Sequence, residues 1–338
     1  MITMREVAAA AGVSQKTVSR VFNNDVHVRP EMRERVIRTL TELNYTPNTL
    51  ATTFRAGRAP TVAVVVPDVV DPFFGVIARE VDRVAAENDM SVLVSSVGHD
   101  AEREREIVES LLQRQPSGLV LASVRSEQAY LKPWIDRTPI VFVDRVPTGV
   151  PLASFTENDR DGTVIAVDHL VGHGHRRIAF VSDDLTSWTT RGRLAGYQAA
   201  MAANGLPVDD DLTVLGVADR DSAGDAMRRL MAVDNPPTAV FSANGRVSMV
   251  LAPVIQDFPL DIVSFGDFPL ADALKTPLTV IDQDPARIGA MAAQRIVERL
   301  QYPTRRFKRK TVLDVRLIER ESCHQHAPLG SKPATTSL

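Results

Sequence analysis

One cysteine, Cys323, occurs in 338 residues. No disulfide can form within the chain, and a reducing compartment fits that usage. No apolar run approaches the ~20 residues a spanning helix needs. The N-terminus also lacks the basic stretch and apolar segment of a secretory signal, so a cytoplasmic protein without membrane contact is expected. No G-x-S-x-G, H-E-x-x-H or Walker string occurs, which leaves no sign of an enzyme. The string Gly172-His173-Gly174-His175 contains a G-x-G, but its glycines end a helix and precede a strand. A phosphate-binding turn needs the reverse order and a third glycine, so no cofactor is expected. His169, His173 and His175 gather in the same region, yet no nearby cysteine or carboxylate spacing completes a ligand set, and no metal is expected. His324 and His326 fall in an unpatterned tail. Asp209-Asp210-Asp211 reads as a solvated loop rather than a calcium site.

What is present is ordinary globular composition, 44% hydrophobic and 24% charged, on a chain long enough for a small domain and a large one. The charge is uneven. Residues 1–58 carry nine Lys or Arg against five acids, on a chain whose net charge is -3. A cationic head on an acidic body suits a polyanion held through one end.

That head opens on Thr3 to Arg20. Thr3 precedes Glu6 by three residues, a capping pair, and Met4, Val7, Ala8 and Ala11 follow at helical spacing. Gly12 can take a positive φ and close the helix, while Ser14 can cap a second helix beginning at Gln15. Val18, Val21 and Phe22 pack back on the first helix. Gln15, Lys16, Ser19 and Arg20 are left pointing outward, with donors and acceptors suited to base edges and phosphates. Pro30 opens a third helix whose Met32, Val36, Leu40 and Leu43 share one stripe, and Asn44 ends it. Two helices around a glycine turn also occur as an ordinary packed pair.

The wider string narrows the choice. Val13-Ser14, Thr17-Val18-Ser19-Arg20-Val21, Asn23, His27-Val28, Leu43-Asn44-Tyr45 and Pro47-Asn48 resemble the DNA-binding headpiece of the lactose/galactose-repressor family of bacterial transcriptional regulators. The match runs through residues 2 to 58. It implies a helix-turn-helix unit over residues 1–46 and a hinge over 47–60. Gln15, Lys16 and Arg20 would read bases, with Ser19 and Tyr45 on the same interface. Thr3, Ser14, Thr17, Asn23, His27 and Asn48 would position phosphates. In the hinge, Ala51 would face a partner subunit and Phe54 would be the minor-groove wedge, where the family usually has leucine.

From Thr61 short apolar runs alternate with amphipathic stretches. Strands are expected at Val62–Val66, Val92–Val97, Gly118–Ala122, Ile140–Val143, Ile178–Val181, Thr213–Val217, Ala239–Ser242 and Asp261–Ser264. Helices are expected at Phe73–Glu87, Glu102–Gln113, Thr163–Val171, Leu194–Ala203 and Ala223–Met231. This β–α alternation predicts a parallel α/β sheet covered on both faces, and the length predicts two lobes.

The resemblance extends through the body on Pro67-Asp68, Asp71-Pro72-Phe73-Phe74, Val143-Asp144-Arg145, Asn158-Asp159 with Gly162, and His169-Leu170 with Gly174-His175-Arg176-Arg177-Ile178-Ala179. Arg193 before Gly196-Tyr197, Pro237-Thr238-Ala239 and Pro277-Leu278-Thr279-Val280 continue it. It implies a periplasmic-binding-protein-like body of two Rossmann-like lobes over 61–320, crossed three times by the chain. Lobe 1 would hold about 61–158 plus 284–310, and lobe 2 about 159–283 plus 311–320. Residues 321–338 show no periodicity and are expected to be a disordered tail. That tail lacks the heptads of a tetramerising zipper, so a homodimer is expected.

A small effector, carbohydrate or derivative, would sit between the lobes. Phe73 and Phe74 follow Asp71-Pro72 at the C-terminal end of the first body strand, where open sheets bind ligands. Asp71, Asp144, Arg193, Asn244 and Asp267 are the polar candidates, and Trp188, in a polar loop near Arg193, would stack on a sugar face. Departures occur at Asn244-Gly245, where Asn-Asp is usual, and at Gly266 before Asp267, where the family has an acid; the segment between is shorter than usual. Two hydroxyl-clamping acids are thus missing, so the expected double-stranded operator binding could come with a different ligand or a vestigial pocket. The competing class is a solute sensor whose N-terminal domain docks a partner.

Overall fold

The computed structural model describes residues 2–22, 25, 27–43, 45, 59–185 and 187–323. They fall into two compact units, Met1–Arg58 and Ala59–Leu338.

The first unit is three helices. In α1, Met4–Ala11, Thr3 and Glu6 form the expected reciprocal capping box, and Gly12 closes the helix at φ 64°. An L side chain rarely tolerates that backbone, which explains glycine there. Helix α2, Gln15–Phe22, begins where Ser14 Oγ accepts the Thr17 N–H at 3.1 Å. Helix α3, Pro30–Glu42, has proline in its first turn, where no intrahelical donor is lost. Val7, Ala8, Ala11, Val18, Val21 and Val36 form the core between them, with Met4, Leu40, Leu43 and Tyr45 packed at its edge. Met32 is only half-buried, so the α3 stripe is narrower than its spacing suggested. Asn44, expected to end α3, lies outside the described residues.

The second unit is two six-stranded sheets. The first contains β1 Ala59–Val66, β2 Ser91–Ser96, β3 Pro116–Leu121, β4 Ile140–Val143, β5 Ala153–Glu157 and β11 Lys310–Leu313, in the order β11-β5-β4-β3-β1-β2. The second contains β6 Ile178–Val181, β7 Thr213–Val214, β8 Ala239–Ser242, β9 Asp261–Phe265, β10 Thr279–Asp282 and β12 Arg316–Ile318, in the order β12-β10-β9-β8-β6-β7. Every recorded pairing is parallel except β10 with β12. Central strands such as β4 and β6 are buried along their length, as a sheet covered by helices on both faces requires.

The chain crosses between lobes after Glu157, after Asp282 and after Leu313. The last crossing falls later than the expected residue 310, because Lys310–Leu313 pairs in register with Ser154–Glu157. The body also continues beyond 320, where a tail was expected. Ser322 is buried, its hydroxyl donating to the Ile262 carbonyl at 2.6 Å and accepting the Thr279 N–H at 2.8 Å, which ties the segment across β9 and β10. Residues 324–338, including His324 and His326, lie outside the described residues.

Thr213–Val217 is a strand only at Thr213–Val214, since Gly216 takes φ 86° and breaks it. Helices expected to start at Thr163 and Leu194 start earlier, at Asp159 and Trp188. Strands β5, β10, β11 and β12 and the helices Gly245–Ile255 and Pro285–Gln301 were not anticipated. No helix among the described residues is long and apolar enough to cross a membrane.

Candidate functional site

Two surfaces carry the candidate residues, one in each unit. On α2, Gln15 and Lys16 are exposed, Thr17 and Ser19 half-buried, and Arg20 exposed with its Nε 3.5 Å from Asp25. The Ser14 and Thr17 hydroxyls lie 2.9 Å apart, so both also serve the cap. Thr3 is similarly engaged: its hydroxyl accepts the Glu6 N–H, and its own backbone N–H and hydroxyl donate to Glu6 Oε2 at 2.7 and 2.9 Å, which holds the Glu6 carboxyl below its ordinary value. His27 is exposed and its backbone N–H donates to Asp25 at 2.9 Å. Tyr45 packs on the three-helix core, and its backbone N–H bonds to Leu40. Asn23, Asn48, Ala51 and Phe54 lie outside the described residues.

In the body, the C-terminal ends of β1, β4, β6, β8 and β9 open into one cleft between the two sheets, lined by Asp71, Phe73, Phe74, Asp144, Arg193, Asn244 and Asp267 among others. Seven of the eight effector candidates therefore meet there. Each is held by its element. Asp71 caps the helix Pro72–Ala86, accepting the Phe73 N–H at 2.9 Å, and burial pushes its carboxyl above the ordinary range. Phe74 reaches both the cleft and the first lobe's core, while Phe73 is half-buried with its ring 5.1 Å from Phe74. Asp144 sits at φ 65° and pairs with Arg145 at 3.2 Å. Asn244 caps Gly245–Ile255 and donates to Asp183 at 3.2 Å. Asp267 is exposed at the rim and held by two bonds from Arg320, at 2.6 and 3.1 Å.

The eighth candidate is a correction. Trp188 is 60% exposed, opens the helix Trp188–Ala203 and carries Arg191 at 5.1 Å over its ring. It lines a neighbouring cavity with Arg125 and Gln128 rather than the cleft. As the first helical residue after Ser187 it points away from the buried Thr189, Thr190 and Arg193.

Arg193 also departs from expectation. It is 3% exposed, and its guanidinium is shared among protein partners. Nε donates to Asp159 Oδ1 at 2.7 Å, Nη1 to the Ala243 carbonyl at 2.8 Å and Nη2 to Glu157 Oε1 at 3.2 Å. The plane lies 3.8 Å over the Phe265 ring. Gln283 adds a second donor to Glu157 Oε1, at 2.6 Å, while Oε2 is buried with no partner. Burial, then Asp159 and Asp144, push Glu157 well above the carboxylate range; burial pushes Asp159 up to about 6 despite the arginine beside it. Glu157, Asp159 and Gln283 flank the first two lobe crossings, so Arg193 ties those crossings to the second lobe.

Sequence reasoning missed Arg145, Asp183 and Arg246, which also line the cleft. Arg145 Nη2 reaches Ser187 Oγ at 3.3 Å, a bond between lobes, and Arg246 Nη2 meets Asp183 Oδ2 at 2.8 Å. Arg145 lay inside a quoted motif and could have been flagged; Asp183 and Arg246 are paired only by the fold. The space remaining is about 80 Å³, well below the ~300 Å³ of an ordinary ligand cleft. A sugar-sized molecule therefore needs the lobes to part or these side chains to turn aside.

The histidine cluster divides. His175 is fully buried, held by Thr238 at 2.9 Å and Asp261 at 3.0 Å, a structural role. His169 and His173 instead meet Glu319, the carboxylate that no local spacing supplied.

A capped helix-turn-helix unit followed in sequence by a two-lobed α/β body with a polar cleft defines a DNA-binding regulator of the periplasmic-binding-protein-like type. Residues 3–48 match the lacI family of bacterial regulatory proteins, and residues 167–323 match the periplasmic binding protein-like domain. The chain belongs to the lacI family of bacterial regulatory proteins. It is 30% identical over 301 residues to the HTH-type transcriptional regulator GalS of Salmonella typhimurium, covering 87% of this chain and 88% of that one. Against the ribose operon repressor of Escherichia coli it is 29% identical over 330 residues, covering 95% of this chain and all of the relative. The lac repressor dimer bound to operator and the anti-inducer ONPF superposes with a TM-score of 0.84 at 26% identity, over 96% of this chain and 99% of that one. These relatives are transcriptional regulators, not enzymes.

Proposed function

We propose that the chain is a transcriptional repressor that binds a near-palindromic double-stranded operator as a homodimer and is switched by a small effector in the inter-lobe cleft. The carrying observation is the outward face of α2, where Gln15, Lys16 and Arg20 stand exposed on a helix whose other side is locked into the core. These three read base edges in the major groove; Thr3, Ser14, Thr17, Asn23, His27 and Asn48 position phosphates, with Ser19 and Tyr45 supporting the same interface. By the family pattern, Ala51 meets the partner hinge and Phe54 wedges between bases of the minor groove. Dimerisation draws support from β2, a sheet edge whose Leu93 and Val94 are exposed.

The cleft favours a polyhydroxylated effector, a carbohydrate or derivative. Six aspartates line it, counting Asp68 and Asp184, against three arginines. Carboxylates accept from hydroxyls, and Phe73 offers an apolar face. Asp183 supplies an acid that the glycines at 245 and 266 do not. A second reading, a cleft that no longer switches, is favoured by one observation: all three nitrogens of Arg193 already donate to protein.

Selection from random duplex DNA tests the DNA-binding role. One near-palindromic site should be enriched, bound with an affinity that falls steeply with salt. Enrichment of no site, with weak salt dependence, would favour a sensor that docks a protein partner. A thermal-shift screen of sugars and sugar phosphates tests the effector.

A further inference from the structure

The helix Asp159–Gly172 begins at the first crossing between lobes and ends in a turn carrying two histidines. His169 is in its last turn and His173 is its C-cap. A spacing of four residues puts both imidazoles on one face, and their ring centroids are 4.4 Å apart. His169 Nε2 and His173 Nδ1 are buried with no hydrogen-bond partner. Buried polar nitrogens are normally satisfied, so a pair left open on adjacent rings calls for an explanation.

A carboxylate reaches this pair from the terminal return of the chain, on the Nε2 side of His173 rather than at its open Nδ1. Glu319 directly follows β12, the antiparallel edge strand, and brings its carboxylate to the histidines, with Oε1 3.8 Å from His173 Nε2. One donor atom from each of His169, His173 and Glu319 lies within 4.8 Å of the other two. Donors around a tetrahedral ion with ~2.0–2.1 Å bonds sit roughly 3.3 Å apart, so closure asks only for small rotations of the three side chains. Two imidazoles and one carboxylate, with a fourth position left to water, suit zinc and its neighbours in the first transition row rather than calcium or magnesium, which prefer all-oxygen shells. The group is separate from the cleft, whose lining includes none of the three.

We propose that His169, His173 and Glu319 form a binding site for a divalent transition metal, zinc being the best fit. The bound ion pins the segment after β12 onto the helix that starts at Asp159. Both elements leave lobe crossings, so metal occupancy stiffens the second lobe beside the points about which the lobes move.

The test uses the full chain, stripped with EDTA and titrated with cobalt(II) and then zinc. Cobalt should bind with one equivalent, give a visible d–d band and be displaced by zinc, and zinc should raise the melting temperature. His173→Gln and Glu319→Gln, both at partly or fully accessible positions, should each weaken binding at least ~10-fold. Their melting temperatures in EDTA should stay within a few degrees of the parent, which establishes that they fold. If a variant fails that control, the cobalt spectrum of the parent, which must show imidazole ligation, decides instead. Absence of saturable binding by the parent would overturn the proposal. So would variants that bind as the parent does, since the metal would then sit elsewhere. Neither result bears on operator binding, which is measured separately.

Discussion

Arg193 donates from Nε to Asp159 Oδ1 at 2.7 Å, a bond that joins the second lobe's helix Trp188–Ala203 to the first crossing between lobes. The same guanidinium holds Glu157, so one buried cation sits between a buried and a half-buried acid. Removing it leaves both carboxylates uncompensated. Arg193→Ala is expected to lower the stability of the body by about 3–5 kcal/mol in urea unfolding. Adding Glu157→Gln and Asp159→Asn should restore much of the loss; no recovery in the triple variant would show that the arginine acts by packing on Phe265 alone.

The acids also set a pH dependence. Asp159 titrates at about 6 when folded against an ordinary value of 3.8. Because the folded value is the higher one, the folded state binds the proton more tightly. Its contribution is complete below pH 3.8 and is lost as pH rises through about 6. Glu157 shifts in the same direction and adds to the trend. The stability of the parent relative to Asp159→Asn should therefore fall by up to about 3 kcal/mol between pH 4 and pH 7, measured by denaturant melts. A gap independent of pH would contradict the burial argument.

The two glycines at the cleft, Gly245 and Gly266, should respond differently to an added acid. Gly245 opens a helix, and a Cβ there meets nothing nearer than 3.8 Å. Gly245→Asp should leave stability within about 1 kcal/mol of the parent, aided by the helix dipole. Gly266 takes φ 96°, and a Cβ would come within 2.7 Å of Gln283 Oε1. Gly266→Asp should cost about 1–3 kcal/mol and disturb the Gln283 bond to Glu157. Thermal unfolding of the two variants reads the difference directly.

These residues also show what was legible before the fold. Continuous apolar runs such as Ile140–Val143 and Ile178–Val181 announced buried parallel strands, and their bounds match. Strand β5 is equally buried but reads ASFTE, so its burial rests on pairing with β4 and β11 rather than on its own hydrophobicity. The helix Gly245–Ile255 was masked by Pro253 inside it. In the cleft, Phe74 and Arg193 carried a motif and both line it, although Arg193 is held by protein partners. The partners of Arg193 are separated from it by 34 to 50 residues, and no local pattern encodes that meeting. Glu319 escaped for the same reason: the His169–His173 pair is local, but its carboxylate arrives by the third crossing.

The headpiece offers a separation of fold from readout. Thr3→Ala removes a hydroxyl that caps α1, and should cost about 0.5–2 kcal/mol in that unit, seen as faster exchange of the α1 amides. Such a loss would weaken binding to all operators alike. If Thr3→Ala changed operator preference instead, Thr3 would belong with the base readers.

On the proposed function, the exposed face of α2 selects DNA sequence. Operator selection from random duplex DNA, run on the parent and on a variant with both Gln15 and Lys16 replaced by alanine, tests it most directly. The parent should enrich one near-palindromic site and the variant should lose that preference, at about 1–3 kcal/mol for each lost contact. Recovery of the same site with the same selectivity by the variant would contradict it.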